Sequence, residues 1–93
     1  MEKREQQKFM RRAEVLKALA HPVRLQILQE LCVCKTNVTA LYTRIGVPQS
    51  TISRHLAVLK SAGVVSGERH GLEIDYSLDC DKMEDFIRML LKD

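Results

Sequence analysis

The segment 48–63, PQSTISRHLAVLKSAG, carries the side chains of this chain that are best suited to recognising a ligand. At about 100° per residue, Ile52, Leu56 and Leu59 fall on one face of a helix, where they can anchor it in a core. The opposite face and its flanks are small or able to hydrogen-bond: Ser50, Thr51, Ser53, Arg54 and Ala57. Pro48 suits the first turn of such a helix, and Gly63 suits the left-handed position after its end.

These residue types match the chemistry of DNA recognition. A helix that presents Gln, Ser, Thr and Arg near its N-terminus can reach base edges in the major groove. Arg54 would read a base or hold a phosphate, and later basic residues would add phosphate contacts. His55 lies on the flank of the buried face and is included mainly as a supporting residue. The predicted DNA-binding set is Gln49, Ser50, Thr51, Ser53, Arg54, His55, Lys60, Arg69 and His70.

The three cysteines are the other reactive side chains. An odd number argues against a secreted disulfide framework. In a regular helix Cys32 and Cys34 would point about 200° apart, and a zinc site needs further ligands, for which Cys80, His21 or His55 are the candidates. We interpret Cys32 first as a small buried hydrophobe. A redox role that uses Cys32, Cys34 or Cys80 is the second interpretation, and metal binding is the third. No cofactor and no metal site is predicted.

No combination of residues in the chain is typical of catalysis. The sequence contains no nucleophile–base–acid constellation, no phosphate-binding glycine loop and no paired-carboxylate site. We therefore do not expect an enzyme.

The elements that position the polar segment can be predicted from hydrophobic spacing. Helices are expected over residues 3–20 and 22–32, with the break at His21-Pro22. Asn37 should cap a third helix that ends at Gly46, and a last helix should cover residues 81–92. The third helix, a tight turn and the polar segment form a helix-turn-helix, although a plain αα-hairpin would have the same pattern.

A β-hairpin is predicted directly after the polar helix. Val64 to Arg69 forms one arm, and Leu72, Ile74, Tyr76 and Leu78 alternate with polar residues in the other. Gly71 supplies the backbone freedom that the tip requires. Such a hairpin is a wing, with Arg69 and His70 placed to lie on a phosphate backbone. The predicted fold is therefore mainly α with a β-hairpin wing, in the order α-α-α-α-β-β-α.

The first and last helices carry apolar stripes beyond what a small monomer can bury. A second copy of the chain would cover them, which predicts a homodimer. The alternative is that both stripes complete the core of the monomer. The expected interface residues are Phe9, Leu16, Met83, Phe86, Ile87, Leu90 and Leu91.

Composition limits the class of protein. Ninety-three residues predict a single domain over residues 1–93, and the low aromatic content of 4% predicts an aliphatic core. A net charge of +3 is mildly basic and does not by itself demonstrate nucleic-acid binding. The charged N-terminus has no apolar run behind it, so we expect neither a signal peptide nor a membrane span and predict a cytoplasmic protein.

Three motifs resemble the ArsR/SmtB family of bacterial winged-helix repressors. They are ALAHPVRLQIL at 18–28, PQSTISRHLAVL at 48–59 and GLEIDYSL at 71–78. The resemblance implies a homodimer that binds a palindromic operator in double-stranded DNA. It also implies that a recognition helix, 49–62, enters the major groove and that the first and last helices form the dimer.

The metal sites known in this family do not carry over to this sequence. One family site uses a Glu-Leu-Cys-Val-Cys-Asp box, and ELCVC at 30–34 resembles it. Counting back from SRHL at 53–56, however, the box falls on residues 37–41, where Asn37 and Thr39 occupy the thiol positions. Another family site needs a histidine on the last helix, and none follows His70. We therefore predict a repressor without these metal sites.

Two alternatives to this function remain open at the level of sequence. One is a redox- or metal-responsive repressor that uses Cys32, Cys34 and Cys80. The other is a winged helix that has lost DNA binding and pairs with another protein. The polar, Arg-bearing face of the recognition helix favours the DNA-binding hypothesis.

Overall fold

The computed structural model describes all residues, 1–93, as five helices and a two-stranded antiparallel sheet. The predicted order of elements is confirmed. The elements are α1 Lys3–Leu19, α2 Pro22–Val33, α3 Val38–Ile45, α4 Gln49–Ser61, β1 Val65–His70, β2 Glu73–Leu78 and α5 Asp81–Leu91. No helix is long and apolar enough to cross a membrane.

Local capping chemistry sets the helix boundaries. Nδ1 of His21 accepts a hydrogen bond from the backbone N–H of Val23 at 3.1 Å, and Pro22 opens α2. Asn37 caps α3 as predicted, its side-chain oxygen accepting from the N–H of Ala40 at 2.9 Å. Gly46 ends α3 at φ +82°, a conformation that favours glycine. Pro48 precedes the first turn of α4, as its N-cap.

The core is aliphatic and centres on α2. Ile27 and Leu28 are fully buried and face the inner sides of the later helices. Cys32 belongs to this core, as the preferred interpretation of that residue predicts. The buried residues are Ala18, Leu19, Ile27, Leu28, Leu31, Cys32, Leu41, Ile52, Leu56, Leu59, Val64, Val65 and Ile87.

The wing is a hairpin with a two-residue loop. Val65 pairs with Leu78 at its base and His70 with Glu73 at its end, so the loop is Gly71-Leu72. The prediction that Leu72 lies in the strand beside Ile74 is wrong. Leu72 belongs to the turn and is 99% exposed, because β1 continues through His70 and the reversal therefore falls on Gly71, at φ +65°, and Leu72.

A short bridge ties the wing to the helical body. The backbone of Thr36, in the loop after α2, exchanges two hydrogen bonds with Tyr76 of β2, at 3.0 and 2.7 Å. The bridge places the base of the wing next to the start of α3.

The two terminal helices contact the body unequally. α1 contributes only its last turns, through Val15, Ala18 and Leu19, and residues 1–14 are all exposed. In α5, Arg88 donates to the backbone carbonyl of Cys32 and pairs with Glu84 at 3.1 Å. The bond to Cys32 ties α5 to the end of α2, while the pair with Glu84 lies within α5.

Candidate nucleic-acid interface

α4 separates an anchoring face from an outward face. Ile52, Leu56 and Leu59 are buried as predicted. Of the residues expected on the outer surface, Thr51 is partly covered. The others are exposed: Gln49, Ser50, Ser53, Arg54 and Ala57. The structure gives Arg54 no salt bridge and no side-chain hydrogen-bond partner, so its guanidinium is free to bind an anion or a base edge.

His55 does not lie on this outward face, and its inclusion among the DNA-contacting residues is corrected. It is only 5% exposed, and its Nδ1 accepts a hydrogen bond from Nε of Arg24 at 3.1 Å. Its ring lies 4.4 Å from the ring of His21, centroid to centroid. Burial among cationic neighbours lowers the pKa of His55: desolvation is the largest cause, followed by His21, Arg24 and Arg54. His55 therefore supports α4 from behind.

Lys60 is exposed but stands in the last turn of α4. Eleven residues separate it from Gln49, which is roughly 16 Å along a helix axis. The structure therefore does not bring Lys60 together with the polar N-terminal turns.

The N-terminal turn of α4 lies beside the wing. Gln49 lines one groove with Asn37 and Thr39 of the α3 start and with Leu72 and Tyr76 of the wing. The predicted recognition helix and the predicted wing therefore form one continuous surface.

The two faces of the wing differ in charge. Cross-strand pairing places Glu68 opposite Asp75 and His70 opposite Glu73, all on one face. Nε2 of His70 lies 3.6 Å from Glu68 and 3.7 Å from Asp75. Arg69 lies on the other face, opposite Ile74. Carboxylates therefore surround His70, whereas Arg69 stands apart from them on the face that carries Ile74.

The cysteines do not converge. Cys32 is buried, and Cys34 and Cys80 are exposed. Burial raises the pKa of the Cys32 thiol; Arg88 opposes this effect and Glu84 adds to it. The structure contains no group of three or more His, Cys, Asp or Glu side chains arranged to hold a metal ion. At the position of the family box, the Asn37 oxygen is engaged in capping α3.

A second exposed surface lies on the terminal helices. Phe9, Leu16 and Leu90 are about half exposed, at 55%, 56% and 49%. Met83, Phe86 and Leu91 are partly covered by the core. Ile87, which was placed in the interface, is fully buried within the protomer; this is a correction, because the inner side of α5 packs on the body.

Three residues are not indicated by the sequence patterns, two on the apolar surface and one on the inner side of α4. Met10 and Met89 are each 68% exposed and extend the apolar surface of the terminal helices. Arg24 joins α2 to His55, and its Nη1 also donates to the carbonyl of Ala18 at 3.3 Å. Its position three residues after His21, on the same side of the helix, was the available signal.

Comparisons with known proteins agree with this arrangement. The model of the family described as "Bacterial regulatory protein, arsR family" matches residues 21–66. The transcriptional repressor PagR of Bacillus anthracis is 44% identical over 79 residues, which is 84% of this chain and 79% of PagR. The repressor SmtB of Mycobacterium tuberculosis is 48% identical over 65 residues, covering 70% of this chain but only 48% of SmtB. The chain thus matches about half the length of SmtB.

Solved structures show the same fold. A homodimeric winged helix-turn-helix DNA-binding domain from Mycobacterium bovis, a possible ArsR-family regulator, superposes with a TM-score of 0.91 at 31% identity. The superposition covers 97% of this chain and 83% of that chain. The crystal structure of PagR gives a TM-score of 0.82 at 40% identity, covering 91% of this chain and 98% of PagR. The winged helix-turn-helix architecture is therefore confirmed.

Proposed function

The chain belongs to the ArsR family of bacterial regulatory proteins, and from this we propose that it is a dimeric, sequence-specific DNA-binding repressor of transcription. Its family consists of transcriptional regulators and not of enzymes. The observation that carries the proposal is the outward face of α4, which is exposed and hydrogen-bonding while the opposite face is anchored in the core. A transcriptional regulator of this kind would work in the cytoplasm.

Recognition would begin at the N-terminal turns of α4. Gln49, Ser50 and Ser53 supply short donors and acceptors for base edges, and Thr51 can contribute its hydroxyl. Arg54, one turn further, can form two hydrogen bonds with a guanine or hold a phosphate.

The wing would contribute phosphate contacts through Arg69. Because Glu68, Glu73 and Asp75 share a face with His70, that face would be repelled by a phosphate backbone. Arg69 stands on the opposite face and escapes this repulsion. We therefore assign the main wing contact to Arg69 and a lesser one to His70. Lys60 would contact only DNA that reaches the far end of α4.

Dimerisation would use the apolar surface of α1 and α5. Phe9, Leu16 and Leu90 are too exposed to be explained by packing within one protomer. The related domain from Mycobacterium bovis is described as homodimeric, which supports the same assembly here. A two-fold dimer would bind a palindromic operator with half-sites one or two helical turns apart, at about 34 Å per turn.

The proposed repressor would not use the metal sites of its family. Asn37 and Thr39 are poor ligands for thiophilic ions, and the Asn37 oxygen already caps α3. Cys32 is enclosed in the core and Cys34 is exposed, so the two thiols do not face one centre.

Selection of binding sites from random duplex DNA tests the proposal directly. We expect enrichment of one palindromic sequence, and binding of it by the dimer with a steep dependence on salt concentration. The Arg54→Ala variant serves as the matched control, since it should fold normally but no longer prefer the selected sequence over other duplexes. Failure to enrich any sequence, together with an affinity that does not change with salt, would favour the protein-interaction alternative.

A further inference from the structure

A polar cluster behind α4 connects it to α1 and α2. Nε of Arg24, in α2, donates to Nδ1 of His55, in α4, at 3.1 Å. Nη1 of the same Arg24 donates to the carbonyl of Ala18, near the end of α1, at 3.3 Å. The ring of His21, the cap of α2, stacks at a tilt of 45° on the ring of His55, 4.4 Å away. Three helices therefore meet at one guanidinium and two imidazoles.

The hydrogen bonds of this cluster require neutral histidines. A guanidinium N–H can only donate, so Nδ1 of His55 must be unprotonated to accept it. Nδ1 of His21 is also an acceptor, from the N–H of Val23. Adding a proton to Nδ1 of His55 would turn the acceptor into a donor aimed at another donor. It would also place a second positive charge beside Arg24 in a site that is 5% exposed.

The charged groups around His55 do not compensate for such a proton. α2 supplies His21 and Arg24, and α4 supplies Arg54, all of which are cationic or can become so. α1 supplies Glu14 and Lys17, which line the groove beside Arg24. Glu14 and Lys17 are paired with each other at 3.5 Å, so the carboxylate is already engaged.

We propose that His55 and Arg24 form an acid-sensitive latch that holds the recognition helix in its DNA-binding position. Neutral His55 locks α4 to α1 and α2 through Arg24, and protonated His55 releases it. The latch regulates DNA binding by α4, so its test by operator affinity rests on the proposed function. His55 acts as a positioning residue, since it lies on the inner face of α4 and does not reach the outward face.

The direction of the pH effect follows from the burial of His55. Its pKa in the folded chain is lowered from the ordinary value of about 6.5, so the unfolded chain binds more protons than the folded chain. The stabilisation from the latch is complete above about pH 6.5 and is lost as the pH falls toward the lowered pKa of the folded chain. Operator affinity should decrease over the same interval.

The test uses the full chain, a selected operator and variants of His55, Arg24 and His70. Between about pH 7.5 and pH 5.5 the wild type should lose operator affinity severalfold, because the bound form requires unprotonated His55. His55→Asn keeps an acceptor near the position of Nδ1 but cannot take up a proton, so its affinity should not fall. Thermal unfolding at the same pH values should show the same contrast.

A second variant allows for poor folding of His55→Asn. Arg24→Gln offers a donor to neutral His55 and an acceptor to protonated His55, so it should also flatten the acid loss. His70→Gln is the matched control; scored by thermal unfolding, where DNA contacts of the wing do not enter, it should retain the loss of stability in acid. An acid loss that disappears in this control, or that persists in both His55→Asn and Arg24→Gln, would overturn the proposal.

The outcomes for the two proposals can be told apart. A wild type that binds its operator equally at both pH values overturns the latch and leaves the proposed function standing. A wild type that binds no duplex at the higher pH contradicts the proposed function. In that case thermal unfolding alone tests the latch. A loss of stability in acid that occurs in the wild type but not in His55→Asn supports the latch without any DNA measurement.

Discussion

The outer face of α4 and the outer faces of α1 and α5 are both exposed, yet they have opposite chemistry. α4 presents Ser50, Ser53 and Arg54, whose polar groups remain well hydrated in the free protein. The terminal helices present Phe9 and Leu90, whose contact with water is unfavourable. Exposure alone therefore does not identify a functional surface. The polar surface fits a hydrated polyanion, and the apolar surface fits another protein surface.

The way each face is anchored also differs. α4 is fixed along its length by Ile52, Leu56 and Leu59, and from behind by His55. The first two-thirds of α1 contributes no residue to the core, and residues 1–14 are exposed. A surface that reads DNA needs a fixed geometry in the free protein, whereas a dimer surface can gain its order from its partner.

Disrupting the apolar surface should have the largest effect. Leu16→Asp combined with Leu90→Asp should convert the dimer to a monomer, because charged side chains would be buried at the interface. Operator affinity should then fall about a hundredfold or more, since each protomer would bind one half-site alone. Sedimentation velocity and fluorescence anisotropy would measure the two effects.

Leu72→Asp is the matched control for the change in assembly. Leu72 is 99% exposed and lies in the loop of the wing, not on the terminal helices. The control should remain dimeric. A wild type that is monomeric at micromolar concentration would contradict the dimer assignment.

Removing the guanidinium from the polar surface should have the next largest effect. Arg54→Ala should lose about 1–3 kcal/mol of specific binding while folding and dimerising normally, because Arg54 has no partner within the protomer. Binding titrations against operator and scrambled duplexes would measure the loss. Arg12→Ala, an exposed arginine of α1, should keep the preference for the operator. Equal affinities of Arg54→Ala and wild type would argue against placing α4 in the groove.

The wing should contribute less binding free energy than α4, and its contribution should not depend on the DNA sequence. Arg69→Ala should weaken binding of operator and scrambled DNA by similar factors. It should also lower the slope of log affinity against log salt concentration by about one. His70→Gln should have a smaller effect at neutral pH, because three carboxylates share its face. An effect of His70→Gln larger than that of Arg69→Ala would reverse the assignment of the two faces.

Metal ions should have the smallest effect. Zinc, cadmium or arsenite should leave operator affinity within about threefold, equivalent to ~0.7 kcal/mol. The measurement should be repeated on the variant with Cys32, Cys34 and Cys80 all replaced by Ser. A large metal-induced loss that vanishes in this variant would restore a metal-sensing function. A loss caused by peroxide alone would instead support a thiol-based redox switch.

The element order and the polar face of α4 could be predicted from the sequence because both depend on local rules. The caps at His21 and Asn37 and the stop at Gly46 depend on a few neighbouring atoms. The helical spacing of Ile52, Leu56 and Leu59 indicates which side of α4 is buried, whatever that side packs against. The three family motifs indicated the same fold without reference to tertiary contacts.

The mistaken residues all depend on contacts that spacing does not reveal. Ile87 belongs to an apolar stripe on α5, but only the approach of the body decides which part of the stripe is buried. Leu72 continues the alternation of β2, but the two-residue loop places it outside the strand. His55 is a polar residue on the flank of α4, and Arg24, 31 positions earlier, is the partner that allows its burial.

The sequence by itself determined which helices form, where they stop and which face of α4 is polar, because hydrogen bonding and periodicity act over a few residues. Only the tertiary structure decided that His55 is buried on the inner face of α4, that the carboxylates of the wing share a face with His70 and not with Arg69, and which apolar residues remain uncovered. The physical reason is that burial depends on groups distant in sequence. A side chain's accessibility is known only when its neighbours in space are known.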